Sequence, residues 1–129
     1  MTEIILDTIT PFAEYDSKIY SYKISCILNN GRRITIIDEV PFDLTNQKNK
    51  KIKALLASYS FEINAINYDS IFLGEIKFDN ILGKYIFKND EIEVLLINDF
   101  VVPKSISVNQ RIHCCFDEII LKEINSKTT

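Results

Sequence analysis

Residues 19–38 read Ile19-Tyr20-Ser21-Tyr22-Lys23-Ile24-Ser25-Cys26-Ile27-Leu28-Asn29-Asn30-Gly31-Arg32-Arg33-Ile34-Thr35-Ile36-Ile37-Asp38, and this stretch decides the fold class. Tyr20, Tyr22, Ile24, Cys26 and Leu28 fall on one face of a period-two pattern, with Ser21, Lys23 and Ser25 on the other. Asn29-Asn30-Gly31 is a hairpin signal, and Ile34 and Ile36 resume the alternation after it. A two-residue Asn30-Gly31 turn would set Cys26 opposite Thr35 and Ile24 opposite Ile37. A three-residue loop sets Cys26 opposite Ile34 and Ile24 opposite Ile36, which aligns the apolar faces that a one-residue slip would separate. The spacing therefore predicts an antiparallel hairpin with Asn29-Asn30-Gly31 as its loop and Gly31 left-handed in a bulge.

Outward from this hairpin the chain keeps the same character. Upstream, residues 1–16 are mixed and interrupted by Pro11; they predict a short strand over 4–9 or an arm. Residues 38–49 read as a loop broken by Pro41. Residues 51–57 fit two templates: Ile52, Leu55, Leu56 and Tyr59 match a helical face, while Ile52, Ala54 and Leu56 match a strand. Alternation through Phe61-Glu62-Ile63-Asn64-Ala65-Ile66 tips the reading to strand. Phe72, Ile76 and Phe78 alternate through 70–78, and Gly74 in the same phase suggests a bulge or sharp bend. Residues 79–84 form a turn before a short strand over 85–87. In 91–97, Ile92, Val94 and Leu96 face inward, with Glu91 and Glu93 outward. Asn98-Asp99 turns the chain, and Pro103 limits regular structure in the segment after it. Residues 111–121 form a last long strand whose phase shifts near Asp117-Glu118, the mark of a bulge or bend.

Composition agrees. The chain has 129 residues, the size of one domain, and holds 23 Ile and 5 Val against 10 Leu. Branching at Cβ favours a pleated surface. The 12 Lys and 11 Asn beside so much Ile are equally the signature of an AT-rich gene. The expected fold is mainly β, a small antiparallel barrel or sandwich with at most one short helix. The domain spans 1–129, with 125–129 a frayed tail. The order of a long strand, a hairpin, a second strand and a basic segment leading into 52–57 resembles the start of an OB-type barrel, as an architecture and not as a family.

Three cysteines, Cys26, Cys114 and Cys115, are an odd set. Cys114 and Cys115 are neighbours that point to opposite strand faces, so they are expected to be free thiols in a cytoplasmic protein. The lone His113 leaves a metal site short of ligands. His113, Cys115 and Asp117 share a face by parity, the one arrangement here that echoes a catalytic triplet, but an ordinary solvated strand face explains it better. Gly31, Gly74 and Gly83 are too far apart for a phosphate-binding loop, so no cofactor is expected. No apolar run is long enough to span a membrane, and the first seven residues, Met1 to Asp7, carry no basic leader.

Net charge is −3, with the acidic excess lying wholly in residues 67–129. Against it stands one basic cluster: Arg32, Arg33, Lys48, Lys50, Lys51 and Lys53. If the hairpin tip lies beside the next strand, these form a local patch, and Tyr20 and Tyr22 would offer stacking faces to unpaired bases. A solvated loop is the plainer explanation, and the tyrosines share a face with Ile24 and Leu28, which places them in the core. The leading expectation is a non-catalytic protein-binding module, an adaptor or an inhibitor of the kind that neutralises a toxin. The alternative is a single-stranded nucleic-acid binder on an OB-like barrel, and an enzyme of unfamiliar type ranks third.

Overall fold

The computed structural model describes residues 1–40, 42, 44–63, 71–97 and 111–125. Ten strands run in chain order: β1 (Thr2–Tyr15), β2 (Lys18–Leu28), β3 (Arg33–Asp38), β4 (Lys51–Ser58), β5 (Phe61–Ile63), β6 (Ile71–Asp79), β7 (Lys84–Lys88), β8 (Glu93–Leu96), β9 (Arg111–Phe116) and β10 (Ile120–Asn125). Among the described residues the one helical piece is a 3-10 turn at Thr45–Gln47. The mainly-β reading holds, and 51–57 is strand.

Five strands close a small barrel in the order β1-β2-β3-β10-β4, with β4 pairing back onto β1. One pair is parallel, β3 with β10, through Ile37 and Asp38. This order, with its single parallel pair, is OB-like. The remaining strands lie between β4 and β10 in sequence and continue the same ten-strand hydrogen-bonded order beyond the barrel as a second sheet, β8-β7-β6-β9-β5. It joins the barrel where β8 runs parallel to the end of β4, Leu56 opposite Val94 and Ser58 opposite Leu96. That edge of β4 is shared, because β1 has already paired with residues 51–54. Thr2 fixes the handover: its hydroxyl donates to the Glu93 carbonyl at 3.1 Å and accepts from the Glu93 amide at 2.9 Å.

One apolar core fills both parts. Ile4, Leu6, Ile24, Ile36, Ile52 and Leu56 come from the barrel, and Phe72, Phe87, Val94 and Phe116 from the second sheet. The alternation of the sequence is thus the alternation of core and solvent. The register of the β2–β3 hairpin is the three-residue one: Cys26 faces Ile34 and Ile24 faces Ile36. Leu28 closes the loop by donating to the Arg32 carbonyl at 2.8 Å, and Gly31 has φ +89°. A Cβ at Gly31 would meet nothing, so the constraint is purely in the backbone. Gly31→Val is therefore expected to destabilise by roughly 1 kcal/mol or more, since a β-branched residue resists φ > 0. A urea melt that shows no loss would refute this.

Four sequence expectations need correction. The first strand is not confined to 4–9; it runs for 14 residues through Pro11, whose missing N–H is accommodated beside a register shift between Pro11 and Ala13. Gly74 marks neither bulge nor bend: β6 pairs in unbroken register with both neighbours. It is there because Phe87 and the Lys88 carbonyl occupy the space of a side chain, 2.7 and 2.6 Å from where a Cβ would sit. The last strand is two strands. At Asp117 to Ile119 the chain leaves the second sheet and enters the barrel, so the phase shift is a change of sheet. Tyr20 is exposed and not core, because β2 has left the barrel there. Residues 64–66, Asn98-Asp99, Pro103 and 126–129 lie outside the described residues.

Two buried polar groups hold the barrel ends. Ser58 donates its hydroxyl to the Glu118 carbonyl at 2.7 Å, tying β4 to the change of sheet. Asp38, fully buried at the end of β3, accepts from the amides of Phe42 at 2.8 Å and Val40 at 3.2 Å. Burial pushes its carboxyl up, and those two amides hold the rise back.

Candidate functional site

The six basic residues are dispersed over the barrel. Outward positions on β4, β1, β2 and β3 place Lys53 opposite Glu3, Lys51 opposite Ile5 and Arg33 opposite Ile27. The acids of β1 stand among these cations. Arg33 pairs with Asp7, and Lys51 Nζ lies 3.9 Å from Glu3 Oε2. Lys48 and Lys50 are exposed on either side of Asn49, at the entry to β4. Arg32 goes elsewhere: its guanidinium stacks 3.8 Å above the Phe72 ring, on the second sheet. The result is a wall of alternating sign, with less field for an anion than six clustered cations would make.

The sequence reading missed one displayed hairpin and, in another that it did place, the exposed apolar tip. In the first, β1 and β2 continue past the barrel as a two-stranded ribbon. It turns through Asp16 and Ser17, with φ of 50° and 63°, a two-residue loop of the primed type. Phe12 is 54% exposed and Tyr15 69%. The register steps from Pro11–Tyr22 to Ala13–Ser21 to Glu14–Ile19, so Phe12 and Tyr20 are the extra residues of successive bulges. A bulge re-aims its side chain, and here it delivers aromatics to solvent. Lys23 Nζ sits 6.0 Å from the Phe12 ring and Lys18 Nζ 5.3 Å from the Tyr20 ring. Asp-Ser is a weak turn signal beside Asn-Gly, which is why the ribbon was hard to read.

The second is the β6–β7 tip. Ile81 is 95% exposed, with Leu82 and Phe78 exposed beside it. The turn is held rigidly: Asp79 Oδ1 accepts from the amides of Ile81 and Leu82, each at 2.9 Å, and Gly83 donates to the Asp79 carbonyl at 2.8 Å. Phe78 packs edge-on against Tyr85 at 5.1 Å. The signal was present in Asp79-Asn80-Ile81-Leu82-Gly83, two aliphatic residues inside a turn, where polar ones are the rule.

Two clefts meet at Arg32. One, of about 270 Å³, lies between β3 and the second sheet and is lined by Arg32, Arg33, Thr35, Phe72, Phe116 and Asp117 among others. The other, of about 580 Å³, brings Arg32, Arg111 and His113 together with Asp90 and Glu91, and Glu91 Oε2 is buried there without a hydrogen-bond partner.

Of the triplet, His113 and Cys115 lie on β9 and Asp117 just past its end. Asp117 accepts from the Ser60 hydroxyl, and the Cys115 thiol is pushed up by burial and by the charges of Asp117 and Glu62, the reverse of an activated thiolate. Burial lifts Cys26 to about 12, and burial with Cys115 beside it lifts Cys114 to about 12. All three thiols are unbridged and buried. A thiol reagent near neutral pH is expected to react slowly with the native chain and to count three thiols in denaturant without reductant; a lower count would mean a bridge. The folded thiols keep protons that the unfolded chain releases. Stability is therefore full below the ordinary value of 9.0 and falls as pH climbs from there toward 12.

Among the described residues no three His, Cys, Asp or Glu side chains gather as metal ligands, and no helix is long and apolar enough to cross a membrane. No family model, curated protein or solved structure matches this chain.

Proposed function

We propose that this chain is a non-catalytic protein-binding module of the adaptor or inhibitor type. The observation that carries the reading is the β6–β7 tip. Single-strand binders use aromatic rings on which bases stack, which Ile81 and Leu82 do not offer, whereas an apolar anchor on a fixed turn suits a protein surface. The turn is ordered before binding, so little freedom is lost when Ile81 and Leu82 are buried. The test is capture from an extract of the native host, with and without nuclease, using the wild type and the double variant Ile81→Glu, Leu82→Glu. A protein held at stoichiometric yield after nuclease and lost in the variant is expected. Capture that vanishes with nuclease, or persists in the variant, would contradict the reading.

The β1–β2 ribbon favours a second reading, a single-stranded nucleic-acid binder. Its aromatics lie beside lysines and project from an OB-like barrel, where bases stack in other such folds. The protein reading expects no mixed-sequence oligonucleotide to bind more tightly than about 10 μM at physiological salt. Submicromolar, salt-sensitive binding by fluorescence anisotropy, lost when Lys18 and Lys23 of the ribbon or Lys50, Lys51 and Lys53 beside β1 become Glu, would reverse the order of the two.

A further inference from the structure

Among the described residues one seam of the closed barrel is paired over two residues of β3 alone. β10 pairs with β3 only at Ile37 and Asp38, so among the described residues no strand pairs with the outer edge of 33–36. The direction of that edge is set by two bonds. Leu28 donates to the Arg32 carbonyl across the hairpin, while the Ile37 amide turns the other way and donates to the Ile119 carbonyl, both at 2.8 Å. Backbone groups alternate in direction along a strand. The N–H and C=O groups of Arg33 and Thr35 therefore point into the seam, away from β2.

The space beside this edge is the 270 Å³ cleft. Its lining is mixed: Phe72, Phe116 and Ile119 contribute apolar side chains beside Ser25, Thr35 and Asp117, and Arg32 lies across the Phe72 ring. Arg33 and Thr35 are exposed along it. The acid among its lining residues, Asp117, is engaged by the Ser60 hydroxyl. An unpaired edge with its backbone groups aimed into a groove is a template for another strand. Arg33 is held by Asp7, which leaves Arg32, over the Phe72 ring, as the cation that favours a segment alternating acidic and apolar side chains, since successive strand residues face opposite ways.

We propose that the seam receives an extended acidic segment of the partner protein, which adds to the free edge of β3 as a further strand. This rests on the protein-binding reading and names a mode of contact distinct from the β6–β7 tip. The probe is a fluorescein-labelled octapeptide of alternating Glu and Val, with alternating Lys and Val as the charge control. Binding is expected to be weak, on the order of 100 μM, because the contact is far smaller than a standard interface. Amide exchange of Thr35 should slow when the Glu–Val peptide is bound. Thr35→Pro removes the seam-facing N–H and leaves the bonds to β2 in place, so it should weaken the peptide by about tenfold or more. Arg32→Glu should reverse the preference between the two peptides. No binding at about 1 mM, equal binding of both peptides, or binding indifferent to Thr35→Pro would each overturn the proposal. Those outcomes leave the tip untouched, because partner capture is scored separately with the Ile81, Leu82 variant.

Discussion

Gly74→Val is expected to cost about 3 kcal/mol or more, a larger loss than the φ > 0 substitution at Gly31. Gly74 faces the core between Phe72 and Ile76. An added Cβ would stand 2.6 Å from the Lys88 carbonyl and 2.7 Å from the Phe87 ring. A flexible side chain could swing away from such a contact, but a carbonyl held in the β7 ladder cannot. Either β6 separates from β7 or the ring leaves its site, and both break the second sheet. Chemical denaturation reads the loss directly as a lowered midpoint. A midpoint within about 1 kcal/mol of wild type would mean that β6 and β7 lie further apart than described.

Phe87→Ala is expected to cost about 3–5 kcal/mol, by lost burial and by the cavity left behind. Phe87 is fully buried and meets Phe116 edge-on at 5.5 Å. Its strand, β7, lies within the second sheet, with β6 on one side and β8 on the other. The two positions should also couple. In the Phe87→Ala background the ring no longer blocks Gly74, so Gly74→Ala should cost less there than in the wild type, with the Lys88 carbonyl keeping the remainder. Additive losses would show that ring and glycine do not meet.

Much of the fold was legible because period-two alternation is a local signal. Ile24 and Ile36 meet where the parity argument puts them, and Ile92, Val94 and Leu96 face inward as read. Signals carried by distant partners were not legible. Gly74 looks like a bend until Phe87 is placed against it, and Asp117-Glu118 looks like a kink until two sheets exist for the chain to pass between. Closure of β4 onto β1 joins residues 2–5 with 51–54, a pairing that no local pattern announces. The site was read less well for a related reason. Six cations clustered in sequence are divided in space by Glu3 and Asp7, which lie on a strand about thirty residues or more upstream of most of them. Exposed apolar residues at the ribbon and the β6–β7 tip look like core residues until the barrel ends short of them.

Under the proposed function a protein partner is gripped by the β6–β7 tip. Calorimetric titration of the purified, captured partner tests it most directly, with wild type and the Ile81→Glu, Leu82→Glu variant measured side by side under one salt condition. Two anchor residues each contributing about 2 kcal/mol predict a loss of roughly 1,000-fold in affinity, with the variant still folded. An affinity for the variant within about threefold of wild type would contradict the claim and place the contact elsewhere on the molecule.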